Sequence, residues 1–337
     1  MHNFTFKSRR LVAAASLCLG LLVAGCGSED ETGTGSLTVL LESEDTITEG
    51  IEFGDAGATV RDGWDVAFDK FIVTVGDVDV HFATDESVEA EAEELFVVDL
   101  TKVPGGGLPL WTLEGLREGR WEFNYWTSGA AHDAKRHSSV VTADFNDMVD
   151  NDWTYLIDGT LLKAEGQSCP PAALATPRGK EPNGKTSGGN DCYDAPSVRF
   201  TFGATAETSF GPCEIDEVPG FAISAGRTQT VAATIHGDHL FFNGFPEGNE
   251  GGVARYAQWL ADCDLNLDGT VTAEELAAIA PSQLPEIDDR FQLGGSPITP
   301  LENMYDYAIS QLKTQGHFQG EGECPFDGKE HEHGDDE

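Results

Sequence analysis

Basic side chains are scarce in this 337-residue chain: 20 Lys and Arg stand against 59 Asp and Glu, a formal charge of −39. A field of that sign repels phosphate backbones and attracts cations, which excludes nucleic acid as a partner. Acidity also serves solubility in variable salt, so charge alone does not name a function. Catalytic signatures are equally thin. There is no His-Glu-x-x-His and no phosphate-binding loop, and Ala222-Ile223-Ser224-Ala225-Gly226 lacks the first glycine of a nucleophile elbow. Carboxylates are too numerous to single out an acid–base pair. The apolar run Leu11 to Ala24 falls short of the roughly 20 residues that a membrane span requires.

What that run does have is the layout of an export signal. Lys7, Arg9 and Arg10 precede it, and small residues end it. It closes on Leu22-Val23-Ala24-Gly25-Cys26, which resembles the lipobox of bacterial lipoproteins. The resemblance implies that residues 1–25 are removed and that the Cys26 thiol carries a diacylglycerol, tethering the chain to a membrane. Residues 26–36 hold no large apolar side chain except that the next residue, Leu37, begins the body, so they read as a flexible tether. Position 27 is Gly and not Asp, and by resemblance to the enterobacterial sorting rule this favours the outer membrane, with the leaflet open.

Cysteine is also limited. Setting aside Cys18 in the signal and the acylated Cys26, five remain: Cys169, Cys192, Cys213, Cys263 and Cys324. Outside the cytoplasm disulfides are permitted. Cys169 with Cys192 would close a stretch rich in Pro, Gly, Lys and Asn, worth roughly 3 kcal/mol. Cys263 with Cys324 is the second expected bridge, leaving Cys213 over.

From Leu37 to about Phe242 the apolar pattern has period two. Val78, Val80 and Phe82 alternate with Asp77, Asp79 and His81; Trp121, Phe123 and Tyr125 alternate with Glu122 and Asn124; Val198, Phe200 and Phe202 alternate with Arg199 and Thr201. Further runs at Leu37–Leu41, Trp64–Phe68, Phe71–Val75, Phe96–Leu100, Trp153–Lys163 and Thr228–His236 bring the count to about nine strands. That number predicts a mainly β fold, an antiparallel β-sandwich over 37–245. The stretch Gly35–Trp126 is similar to the uncharacterised β-sandwich domains at the front of bacterial lipoproteins, a likeness of apolar alternation that implies fold and no function.

After Phe245-Pro246 the period becomes helical, predicting a helical subdomain over 246–316. Val253, Tyr256, Ala257 and Leu260 share one face of a first helix. Thr272 with Glu275 forms a capping box for a second, which Pro281 stops. Thr299, Pro300 and Glu302 open a third, with Leu301, Met304, Ala308 and Leu312 as its stripe until Gly316. The acidic end 317–337, with His317, His331 and His333, reads as a solvated tail.

Between the first two helices lies Asp264-Leu265-Asn266-Leu267-Asp268-Gly269-Thr270-Val271-Thr272-Ala273-Glu274-Glu275, which resembles the calcium loop of EF-hands. Asp264, Asn266 and Asp268 would supply oxygens at positions 1, 3 and 5, Thr270 its carbonyl at 7, Thr272 a ligand or water contact at 9, and Glu275 two oxygens at 12. Gly269 permits the sharp turn at 6. Val271 at 8 is the residue that pairs with a partner loop in coupled hands. No second loop has this pattern, so the chain departs from paired sensor proteins and from dockerins. A lone loop implies calcium affinity on the order of 0.1 to 1 mM and a structural role.

Three functional readings follow. The first is a non-enzymatic, calcium-stabilised envelope lipoprotein with an envelope protein or glycan as partner. The second is a transition-metal binder for copper or zinc, using His236, Asp238 and His239 where a strand ends, with His132 and His137 as another pair. The third is a carbohydrate-active enzyme, which requires a cleft with two convergent carboxylates.

Overall fold

The computed structural model describes residues 33–54, 60–245, 253–284 and 290–326. The expected signal peptide, Cys26, the tether as far as residue 32, and His331 and His333 lie outside the described residues.

In chain order, β1 (Thr34–Ser43) leads into the short α1 (Asp45–Thr48). Then come β2 (Asp65–Phe82), β3 (Asp85–Ala92), β4 (Phe96–Asp99), β5 (Leu108–Arg117), β6 (Gly119–Thr127) and β7 (Lys135–Arg136). After α2 (Thr142–Asp150) follow β8 (Tyr155–Leu162), the two-residue strands β9 (Gln167–Ser168), β10 (Thr186–Ser187), β11 (Asn190–Asp191) and β12 (Tyr193–Asp194), and then β13 (Ser197–Ala204). β14 (Thr208–Phe210), β15 (Glu214–Ile215), β16 (Val218–Pro219), β17 (Phe221–Ile223) and β18 (Thr228–Ile235) complete the β-rich part. The C-terminal part holds α3 (Gln258–Ala261), β19 (Thr270–Thr272), α4 (Ala273–Ala277), α5 (Met304–Leu312), β20 (Gly316–Phe318) and β21 (Gly322–Glu323).

β9 pairs with β12 and β10 with β11 in two small ladders, and the other strands form two large sheets. One runs β16-β15-β21-β20-β18-β1-β5; the other runs β14-β6-β2-β8-β13-β19, with β17 added on β6, β3 and β4 on β2, and β7 on β4. Most ladders are antiparallel, as expected, but β1–β18, β13–β19 and β4–β7 are parallel. The sheets face each other across one core. The Phe123 ring on β6 stacks on Phe318 of β20 at 5.1 Å, and Phe96 meets Trp111 edge-on at 5.5 Å. The alternation read from sequence is what buries Val78, Val80, Trp121, Phe123, Tyr125, Val198 and Phe200.

Three of the expected strand runs are one strand. Trp64–Phe68, Phe71–Val75 and Val78–Phe82 merge in β2, which pairs with β8 along its first half and with β6 along its second. Register shifts at Phe68/Lys70 and Gly76/Asp79 let one strand change partners, because a bulge bends it without ending it. The acidic β3 and the strand β5 escaped the sequence reading. In β3 only Ala92 is buried, so its pattern carries little apolar signal.

The first expected helix is mostly extended chain. The Asn243 and Tyr256 amides donate to the Ala254 and Phe241 carbonyls, and Arg255 bridges to Phe242, so backbone pairing overrides the helical spacing and leaves only α3. Asp62 closes that helix from afar, accepting from the Ala257 and Gln258 amides at 2.9 and 2.8 Å. The third expected helix begins later than Thr299. Both Thr299/Glu302 and Asn303/Asp306 fit a capping box, and the second one forms: Asn303 Oδ1 accepts from the Asp306 amide at 2.9 Å and Asp306 Oδ2 from the Asn303 amide at 3.2 Å. That start turns Met304, Tyr307, Ala308 and Leu312 into the core with Trp259 and Leu276. The apolar core is therefore continuous from the sheets into the helices.

Cys169 joins Cys192 as expected. The second bridge is Cys213 with Cys324, and this corrects the pairing of Cys263 with Cys324. The reason is the ladder: Glu214 of β15 opposes Glu323 of β21, which sets the flanking cysteines face to face. Cys263 stays a buried thiol at the end of α3, 3.2 Å from the Trp259 carbonyl.

Candidate metal centres

The loop Asp264–Glu275 is folded around its own carboxylates. Asp264 accepts from the Asp268 amide at 3.1 Å and the Gly269 amide at 2.8 Å; Asn266 Oδ1 accepts from Asp268 at 2.8 Å; Asp268 Oδ1 accepts from Thr270 at 2.9 Å. Glu275 reaches back across the loop. Its Oε1 accepts from the Leu265 and Asn266 amides at 3.1 and 3.3 Å, and its Oε2 accepts from the Thr272 amide at 3.1 Å. Thr272 and Glu275 form the expected capping box at the start of α4. Gly269 takes φ +91°, the left-handed conformation for which glycine is suited, and Leu267 takes φ +58° while burying its side chain.

Burial and crowding act on these acids together. The Asp264 carboxyl is pushed up to about 6, first by burial and then by the charges of Glu275 and Asp268. Glu275 is raised by burial and again by Asp268. Crowded carboxylates with amide and hydroxyl oxygens among them make a donor set that suits a hard dication. Among the described residues Asp264, Asp268 and Glu275 do not bring three ligand atoms within 4.8 Å of one another, and oxygens on opposite sides of a calcium ion lie about 5 Å apart.

Position 8 of the loop has a partner after all. Thr270–Thr272 is β19, and it pairs in parallel with Arg199–Thr201 of β13, Val271 opposite Phe200. The loop's short strand thus docks on the edge of the ten-stranded sheet. β13 is itself held close to β8, because Gly159 opposes Phe200 and a Cβ there would lie 2.4 Å from the Phe200 ring.

The histidines are arranged differently from the sequence expectation. Among the described residues, two groups of three bring their ligand atoms within 4.8 Å of one another, and both contain His236: one with His239 and His317, one with Glu44 and Asp238. His317 is thus no part of a solvated tail. It lies on β20, opposite Thr234 of β18, so it shares a face with His236 two residues on, and the two rings stack at 3.9 Å. Asp238 is buried and bound to Arg255, whose Nε donates to Oδ2 at 2.6 Å and whose Nη2 donates to the same oxygen. Glu44 lies with Oε2 3.7 Å from His236 Nδ1, and burial, then Asp238, raises it to about 6.

No known family, curated protein or solved structure matches this chain.

His132 and His137 belong to no three-residue cluster among the described residues, and His137 Nδ1 instead sits 2.9 Å from Ser139 Oγ. A cleft of about 1380 Å³ lies between β3, β5 and β6 and the segment 131–135, lined by Asp77, Asp79, Glu91, Glu94, Asp133 and Trp126 among others. Its carboxylates are ones a carbohydrate-active reading would draw on. Asp79 there is raised by burial and opposed by its ion pair with His81 at 2.9 Å, so its chemistry is already engaged.

Proposed function

We propose that the chain is a calcium-stabilised envelope lipoprotein without enzymatic activity, lipidated on Cys26 and held at the outer membrane, in which calcium is structural. The ion would sit in the EF-hand-like loop, on Asp264, Asn266, Asp268 and Glu275 with the Thr270 carbonyl and, directly or through water, Thr272. One observation carries this reading: the loop's short strand, Thr270–Thr272, is a rung of the ten-stranded sheet. A cation there would fix the loop and, through it, the α3 and α4 ends to β13. It would also relieve the repulsion among Asp264, Asp268 and Glu275 that burial intensifies.

Calorimetry on chelator-treated protein tests it. The wild type takes up one calcium with a dissociation constant on the order of 0.1 to 1 mM, and Glu275→Gln loses the binding heat. No calcium heat in the wild type, or equal heat in the variant, removes the site.

A further inference from the structure

We propose a second metal site, built from His236, His239 and His317, that takes a transition-metal dication of the imidazole-seeking kind, zinc or copper. The three residues come from two strands and a turn. His236 follows β18, His239 lies in the turn Asp238–Phe241, and His317 is on β20, brought alongside by the β18–β20 ladder.

The hydrogen bonds set the chemistry of the His239 ring. Thr314 Oγ1 donates its proton to the Gln311 carbonyl at 2.9 Å, so toward His239 Nδ1, also at 2.9 Å, it can only accept. Nδ1 therefore carries the His239 proton, and Nε2 presents its lone pair. That lone pair accepts a hydrogen bond from His317 Nε2 at 3.3 Å, so the His317 proton sits on Nε2 and has to move to Nδ1, or leave, when both nitrogens bind one ion. Two nitrogens bound to one tetrahedral zinc at the usual bond length are about 3.3 to 3.4 Å apart, so this pair already has the spacing of two ligands. His236 completes the set, with its ligand nitrogen within 4.8 Å of the other two; its Nε2 donates to the Gly320 carbonyl at 3.0 Å, a contact the ring would exchange for the ion if that nitrogen is the ligand.

The surroundings suit a cation of this type. His236 and His239 are buried, so competing water is largely kept from their nitrogens. The Thr314 contact on His239 is the outer-shell bond that metal-binding histidines use to fix their tautomer. Glu44 beside His236 supplies negative charge against the ion. Asp238, neutralised by Arg255, is not needed as a ligand. The donors here are nitrogens and those of the loop are oxygens, so the two sites should prefer different ions.

The test is a zinc titration of the chelator-treated full chain against a chromophoric chelator, followed by X-ray absorption on the zinc-loaded protein. One zinc binds per chain, with an edge spectrum of nitrogen neighbours that includes imidazole. His239→Gln and His317→Gln each weaken binding roughly 100-fold or more, while Glu275→Gln leaves it unchanged. Should a histidine variant fail to fold, the wild-type absorption spectrum still decides. No binding at micromolar zinc, a shell of oxygen neighbours only, or zinc binding lost in Glu275→Gln overturns the site. The last two outcomes would place zinc in the oxygen loop, and loss of calcium binding alone would leave the histidine site standing.

Discussion

Arg255→Met lowers the folding free energy by about 3 to 5 kcal/mol, as read from urea unfolding. Asp238 is 1% exposed, and its Oδ2 takes two guanidinium hydrogen bonds. Removing the cation leaves a carboxylate in the core with no counter-charge, which is costly because the desolvation of the ion is no longer offset. The loss is more than one charge pair. The guanidinium also lies 5.1 Å over the Phe242 ring. The double variant Arg255→Met/Asp238→Leu recovers most of the loss, since an apolar pair of similar volume replaces a buried ion pair at little cost. A single variant within about 1 kcal/mol of wild type would contradict this account of the turn that carries His239.

The paired change Cys213→Ser/Cys324→Ser costs about 2 to 5 kcal/mol. The bridge spans 111 residues, against 23 for Cys169–Cys192, so the chain-entropy argument gives it the larger effect of the two. It also fixes the end of the β20–β21 hairpin that delivers His317. Unfolding midpoints of the two serine pairs should therefore fall in that order, the Cys213–Cys324 pair the lower. Peptide mapping under non-reducing conditions that joins Cys263 to any partner would overturn the assignment.

What could be read from the chain divides along sequence distance. The mainly β character, most of the strands and the Thr272–Glu275 capping box were legible because each depends on neighbours two to four residues apart. The sharp turn at Gly269 was legible for the same reason. The docking of the loop was not, because nothing local says that Val271 would find Phe200. The histidine cluster shows the same limit. His236 and His239 stand close together in sequence, but Asp238 between them points to Arg255, and the third imidazole comes from His317 by a strand pairing that no local pattern encodes. The second disulfide has that origin too, since Cys213 and Cys324 meet through a single residue pair between β15 and β21. Where two local patterns competed, as in the capping boxes before α5, burial of Tyr307 and Met304 chose between them.

Amide hydrogen exchange along the β13–β19 ladder tests most directly whether a cation in the loop fastens the C-terminal segment to the sheet edge. With calcium at ten times its dissociation constant, linkage gives about 1.4 kcal/mol, so the Val271 amide, which faces β13 in the ladder, should exchange roughly tenfold more slowly than in chelator. Equal exchange with and without calcium, in a chain that stays folded, would contradict the account.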